Sequence, residues 1–400
     1  MQAVVDGSAG PFMLEHPLLS LPPPRCFPAD CMPFLKEAAR NRGLDIVFSE
    51  MRFGIRDTAA SANLTSELCV CELKRCLGES SGISYLLIAG DKYGFRPPPR
   101  TILKGEFEEL CSRLPKDTAL LVKLYYNLDT NALSSDGSEP APEYVMINQS
   151  DRPGFWTDFG ALQRGLRDAA HALWSKEIVE RELKKPDSMH PCVKYFVSVT
   201  HEEVRRGLFE NNALEGTVYV VRRRFAGLEQ LQPAQDPVVK DFVDTKTSGA
   251  QSAIDKEAVE MCQQLMDETV PHYLRSTCAH ELVPLKRFDF IPFLPARGLD
   301  PSDSDAPQHS QYMREFLDDI CGVLLDSLDS AQDKLNIKPN HMFEECAQQL
   351  AFCQQRAARY FPTVSSSQVL SQHIYKYVCM YVCVCVCMYV CVRIYVCEWV

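Results

Sequence analysis

Residues 44–96 limit the fold more tightly than any other part of the chain. Leu44 to Phe53 is a short apolar run rich in β-formers. Asn63 to Leu77 has the length of a helix, with Asn63 placed to cap its start and Glu67 at the end of the helix dipole that favours an acid. Ile83 to Ala89 is an almost unbroken apolar run between Gly82 and Gly90. A run that short, without alternation, suits a strand covered on both faces. Strand, helix and buried strand in that order make a right-handed βαβ crossover of a parallel sheet.

The rest of the chain extends this pattern. Ala29 to Arg42 reads as a helix, Glu106 to Leu114 as a short helix, Ala119 to Tyr126 as a strand and Tyr144 to Ile147 as a short edge strand. Asp158 to Lys184 reads as one long helix with Leu162, Leu166, Ala169, Ala170 and Leu173 on one face. Val193 to Val199 then reads as a strand, Glu202 to Phe209 as a helix and Thr217 to Val221 as a last strand. Strands alternating with helices predict an α/β sheet sandwiched by helices. Beyond residue 230 the pattern turns helical, over Ala250 to Arg275, Tyr312 to Lys334 and Met342 to Tyr360, with a possible strand near Phe288 and an acidic linker at 300–308. The expected organisation is an irregular N-terminus (1–25), an α/β domain (26–230), an α-helical subdomain (231–376) and a low-complexity Val/Cys/Tyr tail (377–400). The tail has the near-alternation that translated simple-sequence DNA gives, and it is expected to add nothing to the fold.

The phrases EMRFGIRD, LTSELCVCELKRC and LIAGDKYGFRP resemble the N-terminal region of the NACHT and WD repeat domain-containing proteins. ALLVKLYYNLDTNAL, KYFVSVTHEEVRRGLF and the segment Phe159 to Gln163 fit the same family, so the resemblance runs from about Phe27 to Tyr377. It implies a TIR-like, flavodoxin-like parallel sheet, followed by a helical linker that precedes a NACHT domain. That domain would begin just after a segment like Gln368 to Ile374, where the repetitive tail stands instead. The family context implies a cytoplasmic signalling protein whose region serves self-association or partner recruitment. Some TIR-like enzymes cleave NAD with a helix glutamate, and the matching residue is Glu72.

Charge and motifs narrow the chemistry. A formal net charge of −11 argues against nucleic acid as a main partner. Arg222-Arg223-Arg224 is the one basic run and reads as a solvated strand end. Of 18 cysteines, six crowd the last 22 residues; the others sit mostly at apolar positions, as reduced thiols in a cytosolic protein would. The apolar run from Tyr377 to Val392 is 16 residues, too short to span a bilayer, which needs ~20. There is no Gly-x-x-x-x-Gly-Lys-Ser/Thr, so no ATP or other cofactor is expected. No metal site is expected either, since Cys69 and Cys71 would point apart on a helix. Glu72 has Leu68, Cys69 and Cys76 as helical neighbours. It reads either as a catalytic acid with a raised pKa or as a structural partner of Arg75, Arg52 or Arg56. Asp91, Lys92, Tyr93 and Arg96 follow a buried strand, and Arg52 and Arg56 close the preceding one. Together they read as a binding rim at the carboxyl edge of the sheet, where open α/β folds take their ligands. Three readings stay open: a non-catalytic interaction region, an NAD- or nucleotide-cleaving enzyme built on Glu72, and a fragmentary gene product.

Overall fold

A computed structural model describes residues 28–50, 63–134, 137, 139–152, 154–211, 216–248, 251–278, 284–335 and 388–396. The helix expected over Met342 to Tyr360, and the rim residues Arg52 and Arg56, lie outside them. The opening unit forms largely as its periodicity predicts: α1 (Pro28–Asn41) leads into β1 (Leu44–Glu50), and α2 (Thr65–Glu79) into β2 (Tyr85–Ala89). Asn63 is not the cap of α2. It sits in the left-handed region at φ 57°, and its side-chain amide donates to the Ile147 carbonyl.

Next come β3 (Thr101–Leu103) and α3 (Lys104–Ser112). The apolar run read as a strand over 119–126 is mostly α4 (Lys116–Leu124), and only Tyr126 opens β4 (Tyr126–Asp129). An eight-residue apolar run fits either element. Here Pro115 stands at the helix N-cap, and the helix buries Val122 against α5 (Phe155–Trp174) while leaving Leu120 exposed. Gly165 permits that approach, because a Cβ there would lie 2.7 Å from Thr118 Cγ2. β5 (Glu143–Met146), expected at an edge, is the central strand of a three-stranded sheet ordered β3-β5-β4.

The long helix expected to Lys184 breaks at Ser175, where φ is 58°, and restarts as α6 (Lys176–Leu183) with the Ser175 hydroxyl accepting from the Ile178 amide at 3.4 Å. The strand expected over 193–199 is a 3-10 turn, Pro191–Tyr195. Proline sets its first turn, and His190 Nδ1 accepts from the Cys192 amide at 3.2 Å. α7 (Val199–Val204) follows, running into a π-turn, Arg205–Phe209.

β6 (Val218–Ala226) runs five residues past its predicted end. α8 (Val239–Phe242), the hairpin β7 (Thr245–Ser248) and β8 (Gln251–Ile254), α9 (Lys256–Gln263), a π-turn at Gln264–Thr269 and α10 (Val270–Thr277) come next. The possible strand near Phe288 is β9 (Leu285–Pro292), followed by α11 (Pro307–Lys334) and, in the tail, β10 (Met388–Val396).

These elements fall into two compact units. The first lies within residues 63–69 and 95–202 and holds the β3-β5-β4 sheet. Its core is aromatic: Phe107 stacks on Tyr144 at 3.9 Å and meets Tyr126 at 5.3 Å. A buried Tyr195 hydroxyl donates to Glu106 Oε1 at 2.5 Å, and Lys194 pairs with Glu106 Oε2 at 3.0 Å. Burial and the neighbouring Glu106 both push that phenol's pKa up.

The second unit lies within residues 28–50, 70–94, 203–335 and 388–396, and its five-stranded sheet is ordered β1-β10-β2-β6-β9. β2, β6 and β9 are parallel; β10 runs antiparallel to both β1 and β2. The tail thus supplies a strand, and β1 and β2 are not direct neighbours. β9, from the stretch read as helical, completes the parallel core. α1 and α11 bury Leu35, Ala39, Leu324 and Leu328 with Leu44, Ile46 and Leu86. Further along, α11 packs Tyr312, Met313 and Phe316 with Phe225, Phe242, Phe288 and Phe293. His309, fully buried, ties α11 to the loop after β9: Nδ1 accepts from the Asp300 amide at 2.9 Å, and Nε2 lies 2.6 Å from the Pro292 carbonyl.

Candidate carboxyl-edge site

β2 is apolar throughout and ends at Ala89, which pairs with Arg222 of β6. Because β6 continues, its arginines reach the carboxyl edge of the parallel sheet inside the fold. This corrects the reading of Arg222 to Arg224 as a solvated strand end: Arg222 and Arg223 are buried, and only Arg224 is partly exposed. Strand alternation sends them to opposite faces.

Arg222 and Arg224 face α9, α10 and the π-turn between them. Arg222 Nε and Nη2 each meet an oxygen of Asp267 at 3.1 Å, a two-pronged pair. Its Nη1 donates to the Gly90 carbonyl, and Asp91 Oδ1 lies 3.6 Å from Nη2. Arg287 of β9 adds a 3.1 Å contact to Asp267, and Arg224 approaches it at 4.0 Å. Burial pushes the Asp267 carboxyl up. The Arg222 hydrogen bonds and the charges of Arg222, Arg224 and Arg287 outweigh that and hold it below the usual range. Asp91 differs: burial dominates and raises its pKa, although Arg222 and Arg223 pull the other way.

Arg223 faces α8 and α11. Its guanidinium carbon stands 4.4 Å over the Phe225 ring and 5.9 Å from Phe242, a cation–π arrangement. Among the described residues its Nε and Nη2 have no hydrogen-bond partner. Burial lowers its pKa against the influence of Tyr312 and Asp91. Phe225, Phe242 and Phe293 meet edge-to-face at 5.1–5.4 Å around it. Gly298 completes the enclosure at φ 71°, since a Cβ there would sit 2.3 Å from the Phe242 ring.

The loop Gly90 to Gly94 closes over this edge. Asp91 Oδ2 accepts from the Phe225 amide at 2.9 Å. Asp244 accepts from the amides of Tyr93 at 2.6 Å and Gly94 at 3.2 Å. Lys92 Nζ donates to the Lys240 carbonyl at 3.1 Å. Of the expected rim residues, Asp91 and Lys92 are partly buried and Tyr93 is buried. Arg96 belongs to the other unit, where it is buried and its carbonyl accepts from Gln163.

Glu72 lies on α2 with its Oε1 accepting from Ser49 Oγ at 2.6 Å and its Oε2 from Arg75 Nε at 2.8 Å. A second Arg75 nitrogen also meets Oε1, and the carboxylate raises the Arg75 pKa. Asp267 and Asp244 were not singled out from the sequence, and Arg223 was read only as part of a solvated basic run. The available signal was that VYVVRRRFA keeps apolar residues on both sides of its arginines, as a strand that stays inside the fold would. Among the described residues no group of three or more His, Cys, Asp or Glu could hold a metal ion, and no helix is long and apolar enough to cross a membrane.

Sequence comparison places a relationship over half of the chain. It is 34% identical over 208 residues, 51% of its length, to human NACHT domain- and WD repeat-containing protein 1. Against the mouse protein of the same description it is 29% identical over 182 residues, 45% of its length. The chain spans only 12% of the human protein's length and 11% of the mouse protein's. No family model and no solved structure matches it.

Proposed function

We propose that this chain is a non-catalytic interaction region of a NACHT and WD-repeat type signalling protein, acting in the cytoplasm through self-association or partner recruitment. Two findings support the reading: the similarity to the human and mouse proteins, and the state of the carboxylates. The second carries it. Asp91, Asp244, Asp267 and Glu72 each accept hydrogen bonds from the chain's own backbone or side chains. A carboxylate committed to such internal pairing is less free to act as a general acid or nucleophile. The finer reading of residues 26–230 as a TIR-like domain rests on the parallel pairing of β2 with β6 together with the resemblance of the residues around β1, α2 and β2.

The test compares light-scattering mass and nicotinamide release side by side. The double variant Arg52→Glu with Lys92→Glu is expected to lower the associated mass while keeping the fold, since rim charges govern encounter and specificity. Nicotinamide release is expected from neither the parent nor Glu72→Gln. Release by the parent that is lost in Glu72→Gln would establish the hydrolase instead, because the amide cannot stabilise a developing oxocarbenium.

A further inference from the structure

Arg223 is 3% exposed, and two of its three guanidinium nitrogens, Nε and Nη2, meet no acceptor among the described residues. Buried donors are nearly always satisfied, so an arginine left in this state needs a physical reason. Stacking on Phe225 accounts for the face of the guanidinium and a Tyr312 hydrogen bond for part of its edge, but neither accounts for Nε and Nη2, a pair built for oxyanions.

The location adds a second argument. In register, β2 ends opposite Arg222, so beside Arg223 there is no further strand on that side, only the loop that begins at Gly90. Open parallel sheets take ligands at that edge. One carboxylate from the chain, Asp91, already reaches into the arginine pair: it lies 3.6 Å from Arg222 and spends its other oxygen on the Phe225 amide. Arg222 is matched by Asp267, whereas among the described residues no acid pairs with Arg223.

We propose that Arg223 is the receptor for a small oxyanion, a carboxylate or phosphate group, admitted when the Gly90 to Gly94 loop lifts from the sheet edge. The groups around it divide the work. Phe225 and Phe242 hold the guanidinium plane, and Nε and Nη2 grip two ligand oxygens. Asp91 competes for the same positive charge. The site is independent of the association reading, since it needs no second protein.

Inorganic phosphate is the probe, titrated against chloride at matched ionic strength, with acetate as the carboxylate arm. Binding is followed by melting temperature and by calorimetry. Phosphate or acetate at ten times its Kd should raise the melting temperature of the parent by roughly 3–6 °C over chloride. Arg223→Met should fold, since an apolar side chain replaces an incompletely satisfied buried charge, and it should show no anion-specific shift. Asp91→Asn, which keeps an oxygen for the Phe225 amide, should bind about tenfold tighter. An equal shift in parent and Arg223→Met, or no shift in the parent, would make Arg223 a packed cation and end the proposal. A response to acetate alone or to phosphate alone, lost with Arg223→Met, would support the site and fix the class of its ligand.

Discussion

β2 and β6 are adjacent parallel strands at the centre of one sheet, and they are built on different terms. β2 reads YLLIA; Tyr85, Leu86, Leu87 and Ala89 are buried, and none of its side chains carries a charge. β6 reads VYVVRRRFA, equally central, and carries two buried guanidinium groups. The apolar strand needs only neighbours of the right shape. The charged one needs specific carboxylates at specific distances, supplied by a loop at Asp91 and by the π-turn at Asp267. A central strand can therefore carry Arg222, because elements distant in sequence commit acids to it, while Arg223 is held against aromatic rings instead.

Five measurements break or sharpen that contrast. The largest effect is expected from Leu87→Asp, which buries a carboxylate where nothing can pair with it. It should cost about 4 kcal/mol or more and abolish cooperative melting. Asp267→Ala attacks β6 instead and should cost about 3 kcal/mol, because Arg222 keeps its charge and loses its two-pronged partner.

The acid limb separates the two carboxylates that share Arg222. The Asp267 pKa is depressed in the fold, so its stabilisation is complete above the unfolded carboxylate range, about pH 4, and is lost as pH falls through the folded value. The Asp91 pKa is raised, so its contribution has the opposite sign and is lost as pH rises through the folded value. Asp267→Asn should therefore flatten the acid limb in a pH titration of stability, while Asp91→Asn should steepen it and cost little at neutral pH.

Truncation after Lys376 tests the sheet from its other side. β10 pairs with seven residues of β1 and four of β2. Its removal should cost about 2 kcal/mol, seen as a drop of roughly 4–8 °C. An unchanged melting temperature would return the tail to a segment that adds nothing to folding. The smallest effect is expected at β9, where the exposed Phe290 has φ 63°. Phe290→Gly should relieve that conformation and raise stability by about 1 kcal/mol in a denaturant midpoint.

How far the sequence could be read follows from range. β1, α2, β2, α3 and the start of β6 were legible because their apolar period is local. The run 119–126 was not, because eight apolar residues satisfy both periods and the choice fell to Gly165, forty residues away. The break at Ser175 was missed because the periodicity carries across it. For the site, Asp91 and Lys92 were visible as residues following a buried strand. The Phe225 amide that donates to Asp91 lies 134 positions further on and the Lys240 carbonyl that Lys92 meets lies 148 further on, and no local pattern joins them. The burial of Arg222 and Arg223 was hidden for the same reason: three consecutive arginines look like surface until the acid of Arg222 and the aromatic rings beside Arg223 are located.

His309 carries a consequence for spectroscopy. The Asp300 amide can only donate and the Pro292 carbonyl can only accept, so the ring between them fits in one neutral tautomer, with the proton on Nε2. That proton is sealed from water and held by a short hydrogen bond. It should give a slowly exchanging imidazole resonance in nitrogen-detected magnetic resonance, distinct from the signals of surface histidines. The resonance would report, without any mutation, whether α11 is docked against the loop after β9.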